Sequence, residues 1–579
     1  MKSTLQLSDC RKAFRHDQDK ARTPEETVRW VRNRLARIEM DLLTKTVRID
    51  TGRLSIPVFI SLCGTDATRL TGTKKQMGKG ASASQSEASA IMELMERFSF
   101  FSFLHHHPFS IAPLSSLGTD AVPVERLLDS IHDSTTPAEK CREFLDECPL
   151  RWVVAHNLTV GEDQWIPIDW FYLINEYNGA AAGNTLEEAI LQSLCEVVER
   201  HVGTVVSYGK IPTPGIDVRS LEDPVAIELV EKFHRLGIRL FLRDFSLDTG
   251  IPTVGALAYD PSTFPERSEI VFAAGTTTSP EKSLCRALTE IAQLAGDFAN
   301  RTSYRPTLPK YESLDEAAYL MDTGDLVSVR SLPNLEDDSF RVEIDRCVRA
   351  LERLGRDVFT IEVTHPEVRV PAVYTVVPGA HFLDRTRGTD FAQHAARTIL
   401  RGLPSEAASV QMERLLEIFG PRYDLTFFHA HSLELADRPR EALAMFRSAL
   451  HQDPAPLDIA SIFVHMASCH KDLGEYRDAL KALDTAEQHN PELKEIYNLR
   501  GFCHYRLKEH QAAIEAFERA IEIDPGSGID YANIGSNLRE LGFREEAIRL
   551  YRMALELDPD IEFARENLDR LTAEAGERE

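Results

Sequence analysis

Pro491, Pro525 and Pro559 stand 34 residues apart, and three residue columns keep the same interval: Ala467/Gly501/Gly535, Ala479/Ala513/Ala547 and Ala486/Ala520/Ala554. A fourth column, Leu483/Phe517/Tyr551, is large and apolar. Small residues let two antiparallel helices approach, the large side chain fills the remaining gap, and proline stops the second helix. An earlier copy fits with Ala430, Ala442, Phe446, Ala449 and Pro454, offset by three residues. One such hairpin cannot bury its apolar face alone, so the copies must stack into a solenoid with a concave groove.

The spacing resembles the tetratricopeptide repeat, which implies a groove suited to a peptide or a partner helix. Four repeats plus a capping helix carrying Phe563, Leu568 and Leu571 are expected over residues 406–579. A chain of 579 residues also exceeds the roughly 250–300 residues at which one core stops growing. A separate domain is therefore expected over residues 1–405, with the boundary around Gly402-Leu403-Pro404-Ser405. Apolar runs at Trp152–Val154, Arg239–Leu242, Glu269–Ala273 and Ala372–Val377 read as strands. They alternate with amphipathic helices near 24–38, 84–101, 185–202, 222–236, 280–297 and 340–354, so an α+β or α/β domain of enzyme size is expected.

A net charge of -25 argues against nucleic acid or an anionic membrane as the main partner. No apolar run approaches the ~20 residues of a spanning helix, and the first twenty residues lack a signal-peptide core. The expected compartment is the cytoplasm. Nine cysteines contain no Cys-x-x-Cys pair, so neither a zinc site nor a disulfide framework is indicated. Cys195 and Cys285 read as small core residues inside helices.

Function is concentrated in three helices. Gly78-Lys79-Gly80-Ala81-Ser82 leads into Glu93-x-x-Glu96-Arg97, and Gly183-Asn184-Thr185 leads into Glu196-x-x-Glu199-Arg200. Ser279-Pro280-Glu281 leads into Arg286, Glu290 and Gln293. Ser84-x-x-Glu87 and Thr185-x-x-Glu188 are capping-box signatures, while Ser279 and Pro280 fit a helix start. Glu188, Gln192, Glu196 and Glu199 form one stripe opposite Ile190, Leu194 and Val198. A single Glu-x-x-Glu-Arg unit is usually a solvated face with an internal ion pair. Repetition on three helices changes the balance, because carboxylates converging from several elements repel unless cations lie between them. An all-oxygen donor set favours Mg2+, which commonly arrives with a phosphate as co-ligand. The small-residue turns offer backbone N–H groups to phosphate oxygens.

Gly72 to Lys79 is not a Walker loop, since Gly80 follows the lysine where Ser or Thr is required. Protein-kinase signatures are absent as well. His105-His106-His107 reads as a loop or helix end, because consecutive histidines on a regular element cannot all face one ion.

Together these segments resemble the YcaO family over about Lys20 to Gly379, including Asn178-Gly179-Ala180-Ala181-Ala182-Gly183-Asn184-Thr185, Arg286-Ala287-Leu288-Thr289-Glu290 and Val377-Pro378-Gly379. The resemblance implies a domain that binds ATP and Mg2+ and activates a peptide backbone amide by O-phosphorylation. A Cys, Ser or Thr side chain then closes an azoline, or a sulfur donor gives a thioamide. By motif match, Glu93, Glu96, Glu196, Glu199 and Glu290 would hold Mg2+, while Lys20, Thr27, Asn184, Glu188, Arg200 and Arg286 would contact ATP. No residue is singled out as catalytic.

The chain departs from the azoline-forming branch, whose members end in a proline-rich tail; here no proline follows Pro559. Repeats after the catalytic domain are also found in family members described as accessory factors for β-methylthiolation of ribosomal protein S12. The expectation is an ATP- and Mg2+-dependent enzyme acting on a peptide or protein, serving thioamide formation or that accessory role. Its repeats would recruit a substrate, a partner protein or a sulfur-donor protein, and a homodimer is compatible with this. The rivals are an azoline-forming cyclodehydratase, a repeat scaffold without turnover, and a metal-dependent hydrolase that uses no nucleotide.

Overall fold

The computed structural model describes residues 5–300, 308–322 and 324–576. Contacts divide the chain into two units, Met1–His394 and Ala395–Glu579. The first is an α+β unit built on three main sheets.

A three-stranded antiparallel sheet runs β1 (Leu43–Arg48), β2 (Val58–Cys63), β3 (Lys75–Lys79). A six-stranded sheet is wholly antiparallel, in the order β4 (Ser110–Ala112), β5 (Leu150–Asn157), β13 (Phe359–Glu362), β14 (Ala372–Val376), β7 (Ala180–Ala182), with β6 (Glu162–Pro167) paired to β5. The third sheet has the order β11 (Val271–Thr276), β10 (Thr253–Tyr259), β9 (Arg239–Asp244), β8 (Gly215–Asp217), β12 (Leu326–Ser328), and only its β8 and β12 pair is parallel. The open choice between α+β and α/β thus falls to α+β. Every β11 residue is buried, as expected of a strand covered on both faces.

Five helices matter for the site: α1 (Pro24–Leu35), α2 (Ala83–His106), α3 (Leu186–Gly209), α4 (Pro280–Ala295) and α5 (Phe340–Glu352). They fall on five of the six stretches read from hydrophobic periodicity, and the sixth is a helix over Pro224–Arg235. The apolar side of α2, with Ile91, Leu94, Met95 and Phe98, packs with Val31 of α1. Leu284, Leu288 and Ile291 of α4 pack on Val254, Ala256 and Ala273 of the third sheet. Two glycines let helix and strand meet. A Cβ on Gly78 would collide with the backbone of Ser86 and Ala90 on α2, and one on Gly275 with the backbone of Ser283 and Ala287 on α4.

Several local expectations need correction. The N-cap of α2 is Ser82, which accepts from the Gln85 N–H at 3.2 Å, and not Ser84. Glu87 instead takes Thr46 at 2.7 Å and Arg32 at 3.0 Å. Thr185 caps α3 through the Glu188 N–H, but the Glu188 carboxylate does not return to close a box. Ser279 occupies the N-cap position of α4 without a side-chain bond there. A complete box stands at α1, where Thr23 and Glu26 satisfy each other's backbone N–H.

Near its C-terminal end, α3 carries His201 against two other imidazoles. His132 stacks on His381 at 3.9 Å between ring centroids, and His381 on His201 at 5.2 Å. The backbone N–H of His381 donates to His201 Nδ1 at 3.0 Å, and the Arg356 guanidinium lies 2.7 Å from His201 Nε2. Burial and the neighbouring guanidinium depress all three rings, His381 to about 4.

The second unit is helical. After α6 (Ser405–Phe419) come four hairpins: α7 (Tyr423–Leu435) with α8 (Pro439–Leu450), α9 (Pro456–Asp472) with α10 (Tyr476–His489), α11 (Lys494–Arg506) with α12 (His510–Ile523), and α13 (Gly528–Glu540) with α14 (Arg544–Leu557). Helix α15 (Glu562–Gly576) follows. The repeat columns are its core: Phe446, Leu483 and Tyr551 are fully buried, and Gly501 takes the ring of Phe517 where a Cβ would clash. Among the described residues no helix is long and apolar enough to cross a membrane.

Candidate active site

Three strand-to-helix turns end on one cavity of about 490 Å3 in the first unit. Its wall includes Glu93 and Glu96 from α2, Glu188, Glu196 and Arg200 from α3, Arg286 and Glu290 from α4, and Lys20 and Thr27 from the N-terminal segment and α1. Asn184 lines it from the turn before α3. Residues separated by as many as 270 positions thus share one volume.

Of the eleven residues singled out from sequence, Glu199 alone is not in this wall. It is 2% exposed and sits behind it. One carboxylate oxygen accepts from Arg286 Nε at 2.9 Å and from the Thr276 N–H at 3.0 Å, and the other lies 3.2 Å from Arg200. Burial opposes its ionisation, yet Arg286, Arg200 and Lys79 hold its pKa below the usual value.

The wall carboxylates are paired more loosely. Arg97 lies 3.1 Å from Glu96 and 3.9 Å from Glu93, with its guanidinium over the Tyr177 ring at 4.0 Å. Arg200 lies 3.3 Å from Glu196 and also donates to Asn178 at 3.2 Å. Burial dominates at Glu93 and Glu96 and, with Glu196 nearby, raises both pKa values despite Arg97.

The other polar residues form a second arm. Thr27 donates to Asn184 at 2.9 Å, and Asn184 donates to both oxygens of Glu188 at 3.1 and 3.2 Å. Glu188 also accepts from the Ala21 N–H at 2.9 Å and lies 3.7 Å from Lys20. Thr27 is therefore more than a helix-start residue, because its hydroxyl holds the amide that orients Glu188. At the turn before α2, the N–H of Ala81 is already taken by Asp17 at 2.8 Å.

Sequence reasoning gave Lys79 no role, although it stands in the Gly78–Ser82 segment and in the rejected Walker loop. It projects from β3 into the same cavity and pairs with Glu290. Burial, reinforced by Arg286, pushes its pKa down to about 7. Arg97 was visible as the last residue of its motif, and its part here is to balance two carboxylates. Tyr177 carried no signal, since only the fold brings it under Arg97. Cys195 and Cys285 are buried core thiols, and burial pushes Cys195 up to about 12. His105 and His106 end α2 and His107 caps it.

The donor set suits hard cations and phosphate. Glu93, Glu96, Glu196 and Glu290 offer carboxylate oxygen, while Lys20, Arg200 and Arg286 offer charge-assisted donors. Carboxylates whose ionisation burial resists are stabilised as anions by a cation among them.

An α+β unit that gathers glutamates and arginines from three helices into one cavity has the makings of a nucleotide- and metal-handling enzyme. The chain belongs to the YcaO family, described as YcaO cyclodehydratase, ATP- and Mg2+-binding, whose profile matches residues 77–381. Tetratricopeptide-repeat profiles match residues 467–528 and 531–561.

An uncharacterized protein of Methanothermobacter thermautotrophicus is 28% identical over 379 residues, 62% of this chain and 93% of that one. The ribosomal protein S12 methylthiotransferase accessory factor YcaO of Escherichia coli is 28% identical over 219 residues, 32% of this chain and 35% of that one. The structure of YcaO from Methanopyrus kandleri bound with AMPPCP and Mg2+ superposes with a TM-score of 0.51 at 23% identity, covering 66% of this chain and 97% of that one. At that identity the likeness is one of fold.

Proposed function

We propose that this chain uses ATP and Mg2+ to activate a backbone amide of a peptide or protein, leading to a thioamide-type modification or serving ribosomal protein S12 methylthiolation as an accessory factor. The observation that carries this reading is the convergence of Glu93, Glu96, Glu196 and Glu290 with Lys20, Arg200 and Arg286 in one cavity. The family description supports ATP and Mg2+ as the ligands.

In this reading Glu93, Glu96, Glu196, Glu199 and Glu290 hold Mg2+, and Lys20, Thr27, Asn184, Glu188, Arg200 and Arg286 hold ATP. Bound together, ATP and Mg2+ supply an electrophilic phosphoryl group that turns the amide oxygen into a leaving group. The chain's own residues do the positioning. Asn184 fixes the Glu188 carboxylate, Glu199 keeps Arg200 and Arg286 aimed from behind the wall, and Lys79 and Arg97 balance carboxylates that repel one another. Residues 1–405 would carry the chemistry in the cytoplasm, and residues 406–579 would recruit the substrate or a partner.

The test is calorimetric titration with ATP and Mg2+, followed by phosphate release in the presence of candidate peptides. Binding by the parent that Glu196→Gln abolishes is the expected result. A folded parent that binds no nucleotide would overturn the reading in favour of a repeat scaffold or a nucleotide-free hydrolase. The family's description as cyclodehydratase keeps azoline formation as the second reading. Mass spectrometry separates the two, since an azoline loses one water while a thioamide exchanges oxygen for sulfur.

A further inference from the structure

We propose that His431, Glu434 and His465 form a binding site in the repeat unit for a divalent transition-metal cation of borderline softness, zinc above all. His431 and Glu434 stand three residues apart on α7 and so share one face. His465 comes from α9, the first helix of the next repeat. Both imidazoles aim Nδ1 at the same oxygen of Glu434, at 3.2 Å from His431 and 2.8 Å from His465. All three ligand atoms lie within 4.8 Å of one another.

The rings are held from behind. His465 stacks on Phe446 at 5.7 Å and meets Phe427 edge-on at 5.3 Å, and the two imidazoles meet edge-on at 4.6 Å. The side chains stay partly open, with 28% of His431 and 26% of His465 exposed against 11% of Glu434. Apolar backing with an open front is the arrangement of a preorganised site that a cation can enter.

Donor chemistry selects the ion. Two imidazole nitrogens and one carboxylate oxygen suit zinc and its neighbours, whereas the all-carboxylate wall of the first unit suits Mg2+. Three protein ligands leave a coordination position for water. A bound cation would tie α7 to α9 and so clamp the first repeat to the second. The nearby group His470, Glu475 and Asp478 has two exposed carboxylates and serves as the internal control.

The experiment uses the full-length chain, washed with chelator and kept in excess Mg2+ to occupy the carboxylate wall. It is titrated with Co2+, followed by visible d–d absorption, and then with Zn2+ in competition. The expected result is one Co2+ per chain in a nitrogen-containing site, displaced by Zn2+. Glu434→Gln and His465→Gln should each weaken it more than about tenfold, while His470→Ala leaves it unchanged. Circular dichroism confirms that the variants remain helical, and the volume-preserving Gln substitutions guard against collapse. A parent that takes up no Co2+, variants that keep the parental spectrum and affinity, or loss of binding through His470→Ala would each overturn the proposal.

Discussion

Replacing Glu199 by Gln should destabilise the first unit even when no Mg2+ is present. The side chain is 2% exposed and is bonded to two arginines and one backbone N–H. Gln keeps the shape, but it removes the charge and turns an NH2 group toward groups that are themselves donors. Hydrogen bonds to charged groups contribute ~1.5–3 kcal/mol each and neutral ones ~0.5–1.5 kcal/mol. Two such exchanges give a net loss of about 2–4 kcal/mol, in line with the ~3–5 kcal/mol seen when one partner of a buried ion pair is removed.

The assay is built into the sequence. The protein has 4 tryptophans, Trp30, Trp152, Trp165 and Trp170, and all lie in Met1–His394. Urea unfolding followed by tryptophan fluorescence therefore reports on that unit alone, which matters because a two-unit chain need not unfold in one step. A parental midpoint for Glu199→Gln in Mg2+-free buffer would refute the reasoning and leave Glu199 a cation ligand without a structural part.

Acid should loosen the same unit through the stacked histidines. Their folded pKa values lie below the unfolded value near 6.5, so the unfolded chain binds more protons between the two, and stability is lost as pH falls from about 6.5 to 4. A ring held at about 4 corresponds to ~3 kcal/mol, reduced to about 1–2 kcal/mol by solvent screening at the partly exposed His381. His381→Gln should flatten the fluorescence-detected loss across that window, and an unchanged slope would refute the assignment. Phe446→Ala should cost about 3–5 kcal/mol in the repeats while leaving the tryptophan-detected transition in place, with hydrogen exchange locating the damage in residues 423–489. Removal of residues 410–579 should impair recruitment of the substrate or partner and spare nucleotide affinity. A folded truncated protein that has lost ATP binding would contradict that division.

Helix faces and repeat columns were legible because both rest on local periods. The stripe Glu188, Gln192, Glu196, Glu199 could be read as one face from spacing alone. What spacing cannot supply is depth along that face. Glu196 and Glu199 belong to one motif, yet one meets the cavity and the other turns behind it toward Arg286, a distinction made only when α4 and β11 arrive. The displacement of the α2 cap from the expected Ser84 to Ser82 has the same origin, because the tertiary packing of Gly78 against Ala90 helps fix where α2 begins. Lys79 was hidden for another reason: it ends strand β3, and its partner Glu290 lies on helix α4 more than two hundred residues away.

The near balance of charge in the cavity bears on the order of events. Glu93, Glu96, Glu188, Glu196, Glu199 and Glu290 are met by Lys20, Lys79, Arg97, Arg200 and Arg286, so the site carries most of its own counter-ions. Ligand capture is then an exchange of partners. Under the proposed function, bare Mg2+ competes against resident guanidinium and ammonium groups, and bare triphosphate against resident carboxylates. Arriving together, each releases the groups that the other needs, so the two ligands should enter as a pair with mutually reinforced affinity.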